Sequence, residues 1–297
     1  MTITGVIRGA LRETSRNVPL VAALYGTNLL LASVIALAFR AFVAGPGTAD
    51  ALGPLLKDFD MTLFFDFIRT RGEAMGALWQ VVLFMTLLSV ALNAVSTGGV
   101  LASLGSGAPF SLRAFFAGCG AFALRLLRLL VLTGVMTVLA GIAVIAAALP
   151  VLGALSRNHA SEVPVIEGTA AAALALVVVL IPVVMASDYA RVMAVRSDSR
   201  SMVRTLGASF AFLGRNARGA IALQVIAASL TVCLFALYLL LAGVLEMNSG
   251  PKVILMFIVQ QSFLWCRSFL RVMLFSGELA FIRWRMPMAG FSEVDAA

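Results

Sequence analysis

The chain has 297 residues, of which 61% are hydrophobic and 12% charged, with a mean hydropathy of +1.02 and a formal net charge of +8. Soluble domains hold about 45–50% apolar and about 25% charged residues, so no water-soluble core hides this much apolar surface, and lipid must cover part of it. Hydrocarbon offers no partner to a free backbone group, which leaves helices or a closed barrel, and continuous rather than alternating apolar runs choose helices.

The first element is amphipathic. Ile3, Val6, Ile7, Ala10 and Leu11 recur at i, i+3, i+4, i+7 and i+8, a helical stripe, with Arg8, Arg12 and Arg16 beside it. Pro19 then opens an apolar run over about 19–44, and a second run follows at about 74–96. Between them the 45–73 segment carries Asp58, Asp60 and Asp66 among Leu63, Phe64, Phe65, Phe67 and Ile68. Asp58-Phe59-Asp60 supplies too few oxygens for a divalent cation, so a half-buried helix capping the outer mouth of the bundle is expected. A second amphipathic stretch starts after Pro109, with Leu112, Phe115, Phe116, Cys119, Phe122 and Ala123 on its stripe and Arg113, Arg125 and Arg128 at its flanks. Runs at about 127–154 and 165–187 follow. A third stretch has Met202, Leu206, Phe210 and Leu213 on one face with Arg204, Arg215 and Arg218, and leads into runs at about 219–246 and 253–276. Each of the six runs meets the ~20 residues needed to cross a ~30 Å core.

The pattern repeats three times. Arg125-Leu-Leu-Arg128 aligns with Arg215-Asn-Ala-Arg218, and the even-numbered spans end alike at Thr97-Gly98-Gly99, Ser187-Asp188-Tyr189 and Ser276-Gly277-Glu278. The expected fold is therefore an all-α integral membrane domain. Its six transmembrane helices form three hairpins, each preceded by an amphipathic interfacial helix, in units of about 1–108, 109–198 and 199–297. Basic starts of tilted spans are the plainer reading of the three stretches.

Arginine placement orients the chain. The N-terminus, 97–128, 188–218 and the end of the last span with its tail hold 16 of the 22 Lys and Arg, so both termini are expected in the cytoplasm of a bacterial inner membrane. The same charge attracts anionic lipid headgroups. Nucleic acid is a poor partner, because no aromatic-basic surface domain carries these arginines. Cys119, Cys233 and Cys266 are odd in number and lie in apolar contexts, so they read as small core hydrophobes. The long charged lead-in and Arg40 argue against a cleavable leader.

These units, with Arg16-Asn17-Val18-Pro19-Leu20, Asn28 in the first span and Asp188-Tyr189-Ala190-Arg191, resemble a loosely defined group of bacterial six-span proteins. The group includes the membrane domain attached to some glycerophosphodiester phosphodiesterases. The resemblance implies a six-helix membrane module. It does not imply the phosphodiesterase reaction, since no span-free stretch is long enough for the soluble catalytic domain.

The last span carries the candidate binding site. Gln260, Arg267, Arg271 and Glu278 are separated by 7, 4 and 7 residues and fall within about 40° of one another on a helix. Counting ~1.5 Å per residue from Lys252, Arg267 lies about 22 Å and Arg271 about 28 Å along the span. Three readings stand: snorkelling to the headgroups, a salt bridge to Asp188 or Glu278, and a guanidinium grip on an anionic headgroup or substrate. The shared stripe leads to the expectation that Arg267 and Arg271 face protein. Asn28, Asn93, Gln224, Thr231 and Gln261 read as interhelical hydrogen-bonding groups, and Pro182 as a kink in the fourth span.

Catalysis is not expected. His159 is the sole histidine and sits in a short loop, and there is no metal motif, nucleophile elbow or phosphate-cradling loop, so no cofactor is expected either. Two function classes remain. One is a non-enzymatic scaffold or accessory subunit packed against a membrane-protein partner, which small-residue runs such as Ala170–Ala175 suit. The other is a transporter or lipid-handling protein using Gln260, Arg267 and Arg271. Transporters usually place ionisable groups or broken helices near the midplane, and here only glutamines approach it.

Overall fold

A computed structural model describes residues 2–45, 61–70, 72–158, 161, 163–245 and 249–286, with side chains at 63, 64, 66–68 and 74 left aside. Eight α-helices and no strand occur among the described residues: α1 (Ile3–Arg16), α2 (Val18–Val43), α3 (Met61–Thr70), α4 (Gly72–Ser106), α5 (Leu112–Asn158), α6 (Val163–Arg196), α7 (Met202–Val244) and α8 (Gly250–Arg285). Six of them, α2 and α4 to α8, are long and apolar enough to cross a membrane. The chain is a multi-pass, all-α membrane protein. Asp58, Asp60 and His159 lie outside the described residues.

The chain divides into two compact units, one of residues 22–93 and one of 1–21 with 94–297. In the smaller unit several polar residues of the spans donate hydrogen bonds within their own helix. Asn28 Nδ2 donates to Leu24 O at 3.0 Å, Asn93 Nδ2 to Ser89 O at 2.8 Å, and Thr27 and Thr86 hydroxyls each donate one turn back. In the larger unit Thr231 does the same to Ala227 O. The expected interhelical bonds are thus replaced, for Asn28 and Thr231, by bonds within the helix. A short side chain reaches the carbonyl four residues back without needing a neighbour.

The larger unit is packed at its arginine-rich end. In α1 the buried face is Val6, Ala10 and Thr14. In α5 it begins with Phe115 and Cys119, and in α7 it comprises Met202, Thr205, Leu206, Ser209, Phe212 and Leu213. These residues recur at i, i+3 and i+4, so each stretch buries one helical face, its seam. Facing the seams are the ends of the even-numbered spans, where Thr97, Ser187 and Ser276 are all buried. Gly98 and Gly99 of α4 lie against Phe115, Cys119 and Phe122 of α5, so closely that a Cβ on Gly99 would stand 2.6 Å from the Cys119 sulfur. Tyr189 of α6 packs on Phe212 of α7, with ring centroids 5.4 Å apart. A Cβ on Gly277 of α8 would lie 3.7 Å from Ala10 of α1. Each span end therefore rests on the next amphipathic stretch, and the last rests on the first, so a ring closes through α1 and α8.

Two asparagines shape the ring. Asn17 ends α1 at φ −109°, ψ 38°, and Asn216 departs from helical geometry inside α7 at φ −125°, ψ 24°. Both side-chain amides donate four residues back, to Glu13 O at 3.0 Å and Phe212 O at 3.1 Å. At each the amphipathic stretch turns into its span. The second stretch has Leu126, buried and helical, at the matching place, and α5 runs through without a break.

Candidate functional site

The structure brings part of the sequence-predicted stripe together and separates the rest. Glu278 is fully buried at 1% exposure, on the segment of α8 that packs into the ring. Arg271, two turns earlier, is half-buried, its guanidinium carbon 5.6 Å from the Phe275 ring centroid. Arg267 is exposed and Gln260 half-buried. The expectation that both arginines face protein therefore fails at Arg267. The stripe is a single helical face, but it is covered unevenly: Met256, Ser268 and most residues inward of Ser268 are buried, and Arg267 between them is exposed.

Across from this stripe, α6 supplies Asp188, Tyr189 and Arg191. Arg191 Nη1 donates to Asp188 Oδ1 at 3.0 Å, one turn away on the same helix. Arg271 lies within electrostatic range of Asp188, Arg191 and Arg267, and Glu278 within range of Asp188 and Arg191. Among the described residues, neither Glu278 oxygen nor the Tyr189 hydroxyl has a hydrogen-bond partner. Tyr189, Phe212 and Phe281 form an aromatic cluster from α6, α7 and α8, with Phe212 and Phe281 centroids 5.8 Å apart. A Cβ on Gly219 would lie 2.6 Å from the Phe281 ring, so only glycine admits that ring there. The site is thus a buried carboxyl and an ion pair on an aromatic floor, with guanidinium groups leading outward to the span surface.

Sequence reasoning missed a second use of arginine. Arg283 Nη2 donates to Gly105 O at the end of α4, at 2.9 Å. Arg125 donates to Asp198 O, just past the end of α6, and pairs with the Asp198 carboxylate. Arg196 Nη2 donates to Met286 O at the end of α8, at 2.8 Å. Every even-numbered span thus ends on a guanidinium from another helix. Helix C-termini carry partial negative charge and unsatisfied carbonyls, so a cation there contributes about 0.3–1 kcal/mol. Gly107 and Asp198 take left-handed φ values of +66° and +52° just past α4 and α6, the common way to end a helix. Basic residues after each span were visible in the sequence, but the carbonyl each one meets was not.

Groups of His, Cys, Asp and Glu able to hold a metal are absent among the described residues. Compared with known proteins, the chain finds no match among protein-family models, curated proteins or solved structures.

Proposed function

We propose that this is a non-enzymatic protein of a bacterial inner membrane, made of three repeat units, that serves as a scaffold or accessory subunit of a membrane assembly. Its termini and arginine-rich ring lie on the cytoplasmic side by the positive-inside rule. The amphipathic stretches lie in the headgroup plane, with Leu11, Leu112, Phe116 and Val203 exposed beside their arginines. The observation that carries the reading is the contrast in packing along the spans. No described residue is buried in 134–158, 163–182 or 224–244, while the ring end is tightly closed. A body held rigid at one end, with long apolar flanks such as Val138, Ile142 and Ile145 open along the bilayer, suits docking against another membrane protein. The test is gentle extraction with native lipid and mass spectrometry of what co-purifies. A stoichiometric protein partner is expected, and a chain recovered alone at every protein-to-lipid ratio overturns the reading.

A second reading is favoured by one observation. Arg267 is exposed on a span, next to half-buried Arg271. An ionisable group within a span usually marks a binding site or pathway, which supports a transporter or lipid-handling protein that takes an anionic headgroup or substrate at α8.

A further inference from the structure

We infer that the outer faces of the amphipathic stretches hold an annulus of anionic lipids around the ring, in the arginine-side leaflet. The inference rests on the headgroup-plane placement proposed above. It adds which lipids meet these faces and through which side chains.

Two groups of arginine stand at this end of the molecule. Arg125, Arg196 and Arg283 cap helix termini within the ring. A second group lies on the stretches: Arg8, Arg12 and Arg16 on α1, Arg113 and Arg128 on α5, and Arg204, Arg215 and Arg218 on α7. These are all exposed and, among the described residues, make no side-chain hydrogen bond or ion pair. Residues 3–17, 112–128 and 202–218 contain one acid, Glu13. On α1 the arginines follow one another at i, i+4, where like charges repel, so anions placed between them are stabilising.

The order of side chains around each helix is the same. Angles are counted at 100° per residue, in one rotational sense, from the centre of the buried seam. Exposed apolar side chains come first: Leu11 on α1 at about 100°, Leu112 and Phe116 on α5 at about 40° and 80°, and Val203 on α7 at about 120°. The arginines follow at about 140–240° on all three helices, counted on α7 as far as the break at Asn216. Leu124 is the exception, exposed among the α5 arginines.

This order fits a lipid surface. A helix held to protein by its seam, with an apolar edge about a quarter turn on and arginines beyond it, sets the edge against acyl chains and the guanidinium groups among headgroups. An acidic protein arriving from water would use the arginines and leave the apolar edge without an apolar neighbour. Anionic headgroups answer the surplus of positive charge, and neutral ones do not. The breaks at Asn17 and Asn216 let α1 and α7 turn away from their spans and lie along the surface, so their arginines are the ones to test.

The test uses the full chain in nanodiscs of phosphatidylcholine and phosphatidylglycerol, with native mass spectrometry of retained lipid. A fluorescent label is placed at Leu11→Cys, with Cys119, Cys233 and Cys266 changed to Ser. Wild type is expected to enrich phosphatidylglycerol, and R8Q/R12Q/R204Q/R215Q to lose about five-fold in enrichment for each arginine-held lipid. R8K/R12K/R204K/R215K keeps the charge and is expected to keep the enrichment. The label is expected to be quenched by spin-labelled lipid and shielded from aqueous iodide. A label open to iodide and untouched by lipid overturns the headgroup-plane placement itself and leaves the arginines to a water-side partner. A lipid-embedded label without phosphatidylglycerol enrichment by wild type, or with enrichment unchanged in the glutamine variant, overturns the annulus and leaves the placement standing. Equal loss in the lysine variant would trace the effect to the fold and overturn the annulus as well.

Discussion

The two ends of the larger unit obey different rules. At the arginine-rich end, helices from all three hairpins meet through small residues, a buried aromatic cluster and guanidinium caps on helix termini. Along the outer halves, contacts are those of a helix with its own hairpin partner, as where Leu152 and Leu155 crowd Gly168 or Tyr238 meets Phe263 at 5.0 Å. Lipid tails are as apolar as leucine, so apolar flanks gain little by leaving them, and association in the bilayer depends on close packing and polar contacts. The ring has both. Along the outer halves side chains such as Val138, Ile142, Leu174 and Val178 stay exposed.

This contrast can be broken at several places. The largest effect is expected from Asp188→Ala. It leaves Arg191 without its partner in the partly buried junction, and loss of one member of such a pair costs about 3 kcal/mol. Thermal unfolding in detergent reads this as a clear drop in midpoint. Next comes a matched pair of glycine substitutions. Gly99→Ala places a methyl 2.6 Å from both the Cys119 sulfur and the Phe115 carbonyl oxygen, and should destabilise by about 1–3 kcal/mol. Gly141→Ala, in the outer half of α5 with nothing within 4 Å, should be neutral or stabilise by up to ~1 kcal/mol. Equal effects at the two positions would mean that the ends do not differ in packing. The smallest effect is expected from Arg283→Ala, which removes a partly exposed cap from α4 and should cost about 0.5 kcal/mol. Faster amide exchange confined to the last turn of α4 is its expected signature.

Much of the architecture was legible in the sequence. Span count follows from apolar length, and the buried face of each stretch was legible in part: Val6, Ala10, Phe115, Cys119, Met202 and Leu206 stand on the expected stripes and are buried, whereas Leu11, Leu112 and Phe116 stand there and are exposed. The triplets at the span ends, aligned by sequence alone, are the places that pack into the ring. The site was half legible. The stripe of Arg267, Arg271 and Glu278 is a property of one helix and could be counted on it. Which part of it is covered depends on where α8 meets α1, α6 and α7, and periodicity carries no such information. Asp188 was found because it is an acid at a span end; its hydrogen bond from Arg191, one turn along its own helix, was not read from the sequence. The breaks at Asn17 and Asn216 had a signal, the shared Arg-Asn pair at Arg16 and Arg215, which gains meaning only when both residues are seen to leave helical geometry.

Closure of the ring by α1 on α8 is the central claim, because it joins the first and last elements of the chain. A Cβ at position 277 stands 3.7 Å from that of Ala10, inside the ~3.5–4.5 Å window of a disulfide. The direct measurement is oxidation of an Ala10→Cys/Gly277→Cys variant, with Cys119, Cys233 and Cys266 changed to Ser, in native membranes, read on a non-reducing gel. Near-complete intramolecular crosslinking is the expected result. Thiols that stay free under the same oxidation, in a protein that otherwise extracts as a folded monodisperse species, would contradict the ring.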